Sequence, residues 1–165
     1  MRTIWLVGND ENKLTSISEI VGEELINRDQ FVELIVHGEV KEMLGKGLTV
    51  SHTDRSVFAD RLGFLGNLLH RNNIFALVIS NEATLENRKE IKKIYGNYLQ
   101  VSLDNKDELT DIEIKSKDND KLNAKIILDY LIKEKLIPEK SSGVNIYSKD
   151  EEEEIRRRLE ELGYV

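Results

Sequence analysis

Thr3-Ile4-Trp5-Leu6-Val7-Gly8-Asn9-Asp10-Glu11-Asn12-Lys13-Leu14-Thr15-Ser16 decides how the rest of the chain is read. An apolar run, Ile4 to Val7, ends at a glycine, and an apolar pattern with helical spacing follows. This is the layout of a strand running through a phosphate-binding loop into a helix. A working loop of that kind reads G-x-x-x-x-G-K-[ST]. Gly8 and Thr15 stand at its first and last positions. Lys13 takes the place of the second glycine and Leu14 that of the lysine, while Asp10 and Glu11 fall in the middle. The frame of the loop is present and its chemistry is altered.

Outward from this loop, the apolar pattern alternates between strand and helix. Leu14, Ile17, Ile20, Val21 and Leu25 predict a helix over 14–28. Val32 to Val36 reads as a second buried strand ending at His37-Gly38. Asp54 to Arg71 carries Phe58, Leu62, Leu65, Leu68 and Leu69 on one side of a long helix, broken by Asn72-Asn73. Ile74 to Ile79 is the strongest strand signal. A helix is expected over 82–95 and a strand over 98–103. Ile112 and Ile114 suggest a short strand inside the polar stretch 104–120, and a helix over 122–137 is stopped by Pro138. Strands alternating with helices imply right-handed crossovers and a parallel sheet covered on both faces. Ligands of such sheets sit at the carboxyl ends of the strands. That points to the connections 8–15, 37–41, 80–85 and 104–111.

Composition narrows the function classes. With 165 residues the chain suits one ordinary core. A formal net charge of -7 argues against a nucleic-acid partner, since backbone phosphates need a basic face. There are no cysteines, so disulfides, thiolate catalysis and cysteine-ligated zinc are excluded. No His/Asp/Glu spacing reads as a metal site. No apolar run is long enough to span a membrane, and the N-terminus enters a strand with no secretory signal, so cytoplasmic residence is the expectation.

From residue 139 the character changes. Lys140-Ser141-Ser142-Gly143 reads as a linker, Ser148 and Glu151 form a capping box, and Glu152/Arg156, Glu153/Arg157 and Glu154/Arg158 are i,i+4 pairs. Ile155, Leu159 and Leu162 form an apolar stripe. The expected organisation is a body over 1–138 and, over 139–165, a linker with a C-terminal amphipathic helix. That helix, over 147–165, is a candidate surface for a protein partner.

Thr3 to about Val101 resembles the adenylylsulfate kinase family, which phosphorylates adenosine 5′-phosphosulfate at its 3′-hydroxyl. The family's T-I-W-L-T-G opening differs from Thr3–Gly8 by one residue. Its D-G-D-x-V-R block corresponds to His37-Gly38-Glu39-Val40-Lys41, one residue shorter. Its L-G-F-S-x-x-D-R segment is matched by Leu48 to Arg55, with Ser51, Asp54 and Arg55 kept. Its N-I-R-R keeps only Arg61. Asn81 to Leu85 replace most of its I-S-P-Y-R-x-x-R block, with Arg88 read as the last arginine. Nothing in 104–120 matches its lysine- and arginine-rich lid. The resemblance implies a three-layer α/β P-loop fold with a central parallel sheet, and a homodimer.

For activity the altered residues point the other way. A phosphate loop aims backbone N–H groups and a lysine at the β- and γ-phosphates. Leu14 offers no charge, and a like-charge contact such as Asp10 or Glu11 to a phosphate costs roughly 1 kcal/mol in water-like surroundings and about 4 at intermediate dielectric. A lost charge-assisted contact removes a further ~1.5–3 kcal/mol. His37 replaces the catalytic carboxylate of D-G-D and Glu39 keeps the second, which makes these two the catalytic candidates. Lys41, Arg55 and Arg88, with Arg61, are the candidates for holding a small anionic ligand. The expected function is that of a pseudokinase: a family member that has lost ATP-dependent phosphoryl transfer and serves as a binding or regulatory partner, without a cofactor. The alternative is an active divergent kinase for a small molecule or nucleotide, with Gly8, Lys13 and Thr15 holding Mg-ATP.

Overall fold

The computed structural model describes residues 2–49, 51–96 and 98–139. The expected linker from residue 140 and the helix over 147–165 lie outside the described residues. The elements run β1 (Thr3–Val7), α1 (Glu11–Ile26), β2 (Phe31–Val36), α2 (His37–Leu44), α3 (His52–Arg71), β3 (Ile74–Ile79), α4 (Leu85–Tyr95), β4 (Leu99–Leu103), β5 (Ile112–Ile114) and α5 (Asp120–Lys133). The five strands form one parallel sheet in the order β2-β3-β1-β4-β5. With helices on both faces, this is a three-layer α/β fold of the P-loop type.

Strand alternation divides the core between the faces. Ile4 and Leu6 of β1, with Phe75, Leu77 and Ile79 of β3, pack under α1 and α5, against Leu14, Ile17, Val21, Ile127 and Leu131. Trp5, Ala76 and Val78 turn to the opposite face and meet Phe58 and Leu62 of α3 and Ile91 of α4. Each inner strand is buried on both sides, which is why Ile74–Ile79 reads as an unbroken apolar run. Gly63 lets α3 approach α4: a Cβ there would stand 2.8 Å from Ile91 Cγ2.

Two helix ends depart from the sequence reading for one reason. Helix α1 stops at Ile26 instead of Arg28, with Asp29 at φ 58° and Gln30 N–H bonded to Leu25 O at 3.1 Å. Helix α5 stops at Lys133, before Pro138, with Lys135 at φ 54° and Leu136 N–H bonded to Leu131 O at 2.9 Å. Both are left-handed caps with the 6→1 bond, made on residues other than glycine, so composition did not announce them. The turn after α5 carries Ile137 back into the core.

Three differences bear on the site. Helix α1 begins at Glu11, three residues earlier than expected. Helix α2 occupies the stretch read as a loop from His37. Helix α4 starts at Leu85, after a Thr84/Asn87 capping box, so 81–83 remain in the connection.

Candidate functional site

The connection after β1 contains only Gly8, Asn9 and Asp10. Asp10 caps α1 by accepting from Lys13 N–H at 2.9 Å. The capping bond draws 11–15 into the first turns of the helix, where a phosphate loop would still be wrapping an anion. Gly8 serves packing: a Cβ on it would lie 2.8 Å from Leu103 Cβ at the end of β4. Leu14, at the motif's lysine position, is fully buried under the sheet. Lys13 turns toward α5, where its Nζ donates to Asp120 Oδ1 at 2.8 Å and to Asp118 O at 3.0 Å. Ser16 donates to the other oxygen of Asp120 at 2.7 Å. These two bonds hold the Asp120 carboxyl below the usual range against a slight opposing effect of burial. The Thr15 hydroxyl donates to Glu11 O at 2.8 Å, the back-bond of a threonine within a helix.

A pocket of about 160 Å³ opens beside the start of α2, between α3 and the connection after β3. His37, Lys41, Arg55, Phe58 and Glu82 line it. His37 is buried with its ring 4.7 Å from that of Phe58, and neither ring nitrogen has a hydrogen-bond partner. Glu82 Oε1 stands 3.4 Å from His37 Nε2, without hydrogen-bond geometry, and accepts from Lys41 Nζ at 3.2 Å. Burial would raise the Glu82 carboxyl; the Lys41 bond and the charges of His37, Lys41 and Arg55 outweigh it and lower it. On the pocket's outer wall Thr49 donates to Asp54 through its N–H at 2.8 Å and through its hydroxyl, which lowers the Asp54 carboxyl. Behind α2, a carboxylate oxygen of Glu11 lies 2.9 Å from where a Cβ on Gly38 would stand. That negative charge beside the first turn of α2 favours the helix in a stretch whose polar residues read as loop.

Arg88 lies elsewhere. It is buried on α4 and donates through Nη1 to Asp107 Oδ2 and to Gln100 Oε1, both at 2.7 Å, and through Nε to Ala83 O at 3.2 Å. Gln100 Nε2 in turn donates to Asp107 Oδ1 at 2.8 Å. The network backs a separate cavity of about 250 Å³ at the carboxyl ends of β1, β3 and β4, beside Gly8, Asn9 and Ser80.

The sheet order, the helix following β1 and the site at the strand ends converge with the comparisons. A model of the adenylylsulphate kinase family matches residues 1–125. The chain belongs to the adenylylsulphate kinase family. Among relatives of this family, an adenylyl-sulfate kinase of Gloeothece citriformis is 33% identical over 99 residues, which are 60% of this chain and 56% of the relative. One of Microcystis aeruginosa is 32% identical over the same length. The chain thus spans little more than half the length of the curated relatives it matches. An adenylylsulphate kinase structure from Mycobacterium tuberculosis superposes with a TM-score of 0.70 at 19% identity, covering 79% of this chain and 96% of that one. A shikimate kinase of Aquifex aeolicus gives 0.54 at 17% identity, covering 81% and 98%. At these identities the structures speak for the fold.

Of the residues singled out in the sequence of this adenylylsulphate kinase relative, the structure brings His37, Lys41 and Arg55 into one pocket. Glu39 is exposed on α2 and does not line it. Arg61 donates to Leu44 O and so ties down the end of α2. Gly8, Lys13 and Thr15 are close in sequence, yet Lys13 and Thr15 are bonded inward. Strict spacing from Ile79 places the last arginine of the family's I-S-P-Y-R-x-x-R block at residue 86, and Arg88 lies two residues on. The partners of these cations were missed: Asp120 for Lys13, Glu82 for Lys41, Asp107 for Arg88. Their sequence signal is slight, a carboxylate in a connection, and only the fold brings it to its cation. Among the described residues no group of His, Asp and Glu could hold a metal ion, and no helix is long and apolar enough to cross a membrane.

Proposed function

We propose that this member of the adenylylsulphate kinase family is a pseudokinase, one that has lost ATP-dependent phosphoryl transfer and acts in the cytoplasm as a binding or regulatory partner in sulfonucleotide metabolism. The observation that carries the reading is the fate of the loop. Leu14 is core, Lys13 is held by Asp120 and Asp118, and Thr15 spends its hydroxyl on Glu11. A phosphate group at this helix start would meet backbone N–H groups, but neither an available lysine nor a free magnesium-ligating hydroxyl.

The ligand-binding remnant is the pocket of His37, Lys41 and Arg55. Its volume is below the ~300 Å³ of ordinary small-molecule sites, so it suits the charged end of a sulfate or phosphate ester rather than a whole nucleotide. In this reading residues 147–165 form the partner-binding segment, and the assembly is a homodimer.

Turnover tests it. The full chain incubated with Mg-ATP and adenosine 5′-phosphosulfate is expected to form no 3′-phosphorylated product across neutral pH. Product that disappears in Lys13→Ala would establish the alternative, an active divergent kinase using Lys13 and Thr15.

A further inference from the structure

We propose that Glu82 is a displaceable internal counter-anion: the pocket of His37, Lys41 and Arg55 takes a tetrahedral oxyanion, sulfate or phosphate, in exchange for the Glu82 carboxylate. The inference rests on the reading of that pocket as an anion site, and it names the residue that decides how tightly the anion is held.

Three cations in this part of the fold are answered by the chain's own carboxylates, but not equally firmly. Asp107 receives Arg88 at 2.7 Å, Gln100 at 2.8 Å and Leu109 N–H at 2.9 Å, with Arg88 9% exposed. Asp120 takes both Lys13 and Ser16. Glu82 has one hydrogen bond, to Lys41, and both partners are open to water, at 57% for Lys41 and 41% for Glu82. Exposed pairs of this kind are worth little, so exchange is inexpensive. Glu82 also sits on 81–83, ahead of the α4 cap, where the side chain can swing outward without disturbing a helix.

What the carboxylate leaves unmet is the stronger argument. Both nitrogens of His37 are buried and unbonded at the pocket wall. A buried polar atom without a partner is costly, and a ligand oxygen placed between His37 and Lys41 would give Nε2, the ring nitrogen nearest Glu82, a hydrogen bond that Glu82 does not make. Arg55, an exposed residue lining the same pocket, acts on Glu82 through its charge and adds a second cation for a ligand oxygen. Three cationic or hydrogen-bonding groups around one small cavity match the several oxygens of a tetrahedral oxyanion better than the two of a carboxylate.

Calorimetry on the full chain with inorganic sulfate, repeated with inorganic phosphate, tests the exchange. Glu82→Gln removes the competing charge and keeps the shape, and it is expected to bind sulfate at least about tenfold more tightly than wild type. The gain should vanish when Lys41→Ala and Arg55→Ala are added. Equal affinity in Glu82→Gln, no binding by it, or a gain that survives loss of both cations would overturn the proposal. A second measurement needs no variant. In wild type, sulfate should move the His37 ring resonances saturably and leave those of His70, at the far end of α3, in place; unmoved His37 signals would contradict it. Mg-ATP turnover by the same protein would overturn the loss of phosphoryl transfer and leave the Glu82 exchange standing. An unchanged Glu82→Gln affinity would do the reverse.

Discussion

Leu14→Lys, which restores the phosphate-loop lysine, is expected to destabilise the chain heavily and to create no affinity for nucleotide. Leu14 is wholly buried among Ile17, Val21, Leu77 and other residues of the α1 face. Truncating such a leucine costs ~2–5 kcal/mol. Lysine adds the desolvation of an ammonium with no carboxylate in the core to meet it. A loss of about 4 kcal/mol or more is expected, set against a total stability of ~5–15 kcal/mol for domains of this kind. Urea unfolding followed by circular dichroism reads it directly. Leu14→Met, which conserves volume, should lose less than ~1.5 kcal/mol. A Leu14→Lys chain as stable as wild type would mean that 11–15 can leave the helix and reform a loop.

Arg88→Ala is the second large effect. It leaves Asp107, whose side chain is 23% exposed, facing Gln100 without its cation. Breaking a buried pair from one side costs ~3–5 kcal/mol, and the residual exposure of Asp107 places this one near about 3 kcal/mol at pH 7. The deficit depends on pH in a fixed direction. Burial would raise the Asp107 carboxyl; the Arg88 and Gln100 side chains and Leu109 N–H outweigh it, so the folded group sits below its unfolded value. A depressed carboxylate contributes stability above the unfolded pKa, about 4, and loses it as pH falls through the folded one. In Arg88→Ala burial acts with less opposition, so the carboxyl protonates more readily. The gap between wild type and variant should therefore be widest at neutral pH and narrow below about pH 4. A constant gap from pH 7 to pH 3 would assign the loss to packing instead of charge.

The sequence made the frame of this fold legible because its signals are local. Ile74–Ile79 is apolar throughout since β3 is covered on both faces, and the spacing of Leu14, Ile17, Val21 and Leu25 survives in α1 residue for residue. The misses have physical causes. Lys13 and Thr15 look free in a loop because the glycine frame of the motif masks a local signal, the Asp10 cap on Lys13 N–H, and because the burial of Leu14 and the Asp120 partner of Lys13 are tertiary consequences. His37–Leu44 looks like loop because its helical state depends on a surrounding that includes Glu11, twenty-six residues earlier. The site was half visible: His37, Lys41 and Arg55 do share a pocket. Glu82, which faces two of them, was hidden, since a lone glutamate in a connection carries no spacing that points to a histidine forty-five residues away.

A common pattern runs through the altered positions. Where the resemblance led one to expect cations held ready for substrate phosphates or sulfate, this chain supplies its own carboxylates. Asp120 answers Lys13, Asp107 answers Arg88 and Glu82 answers Lys41. The first two are built into hydrogen-bond networks of the fold and stabilise it whether or not a ligand is present. On the proposed pseudokinase reading, the connection after β1 is a helix start that no longer holds a polyphosphate, even though a cavity remains beside Gly8 and Asn9. Titration of the full chain with Mg-ATP by isothermal calorimetry tests it most directly. No saturable heat up to millimolar nucleotide is the expected result; a one-site isotherm with micromolar affinity, lost on Lys13→Ala, would contradict it.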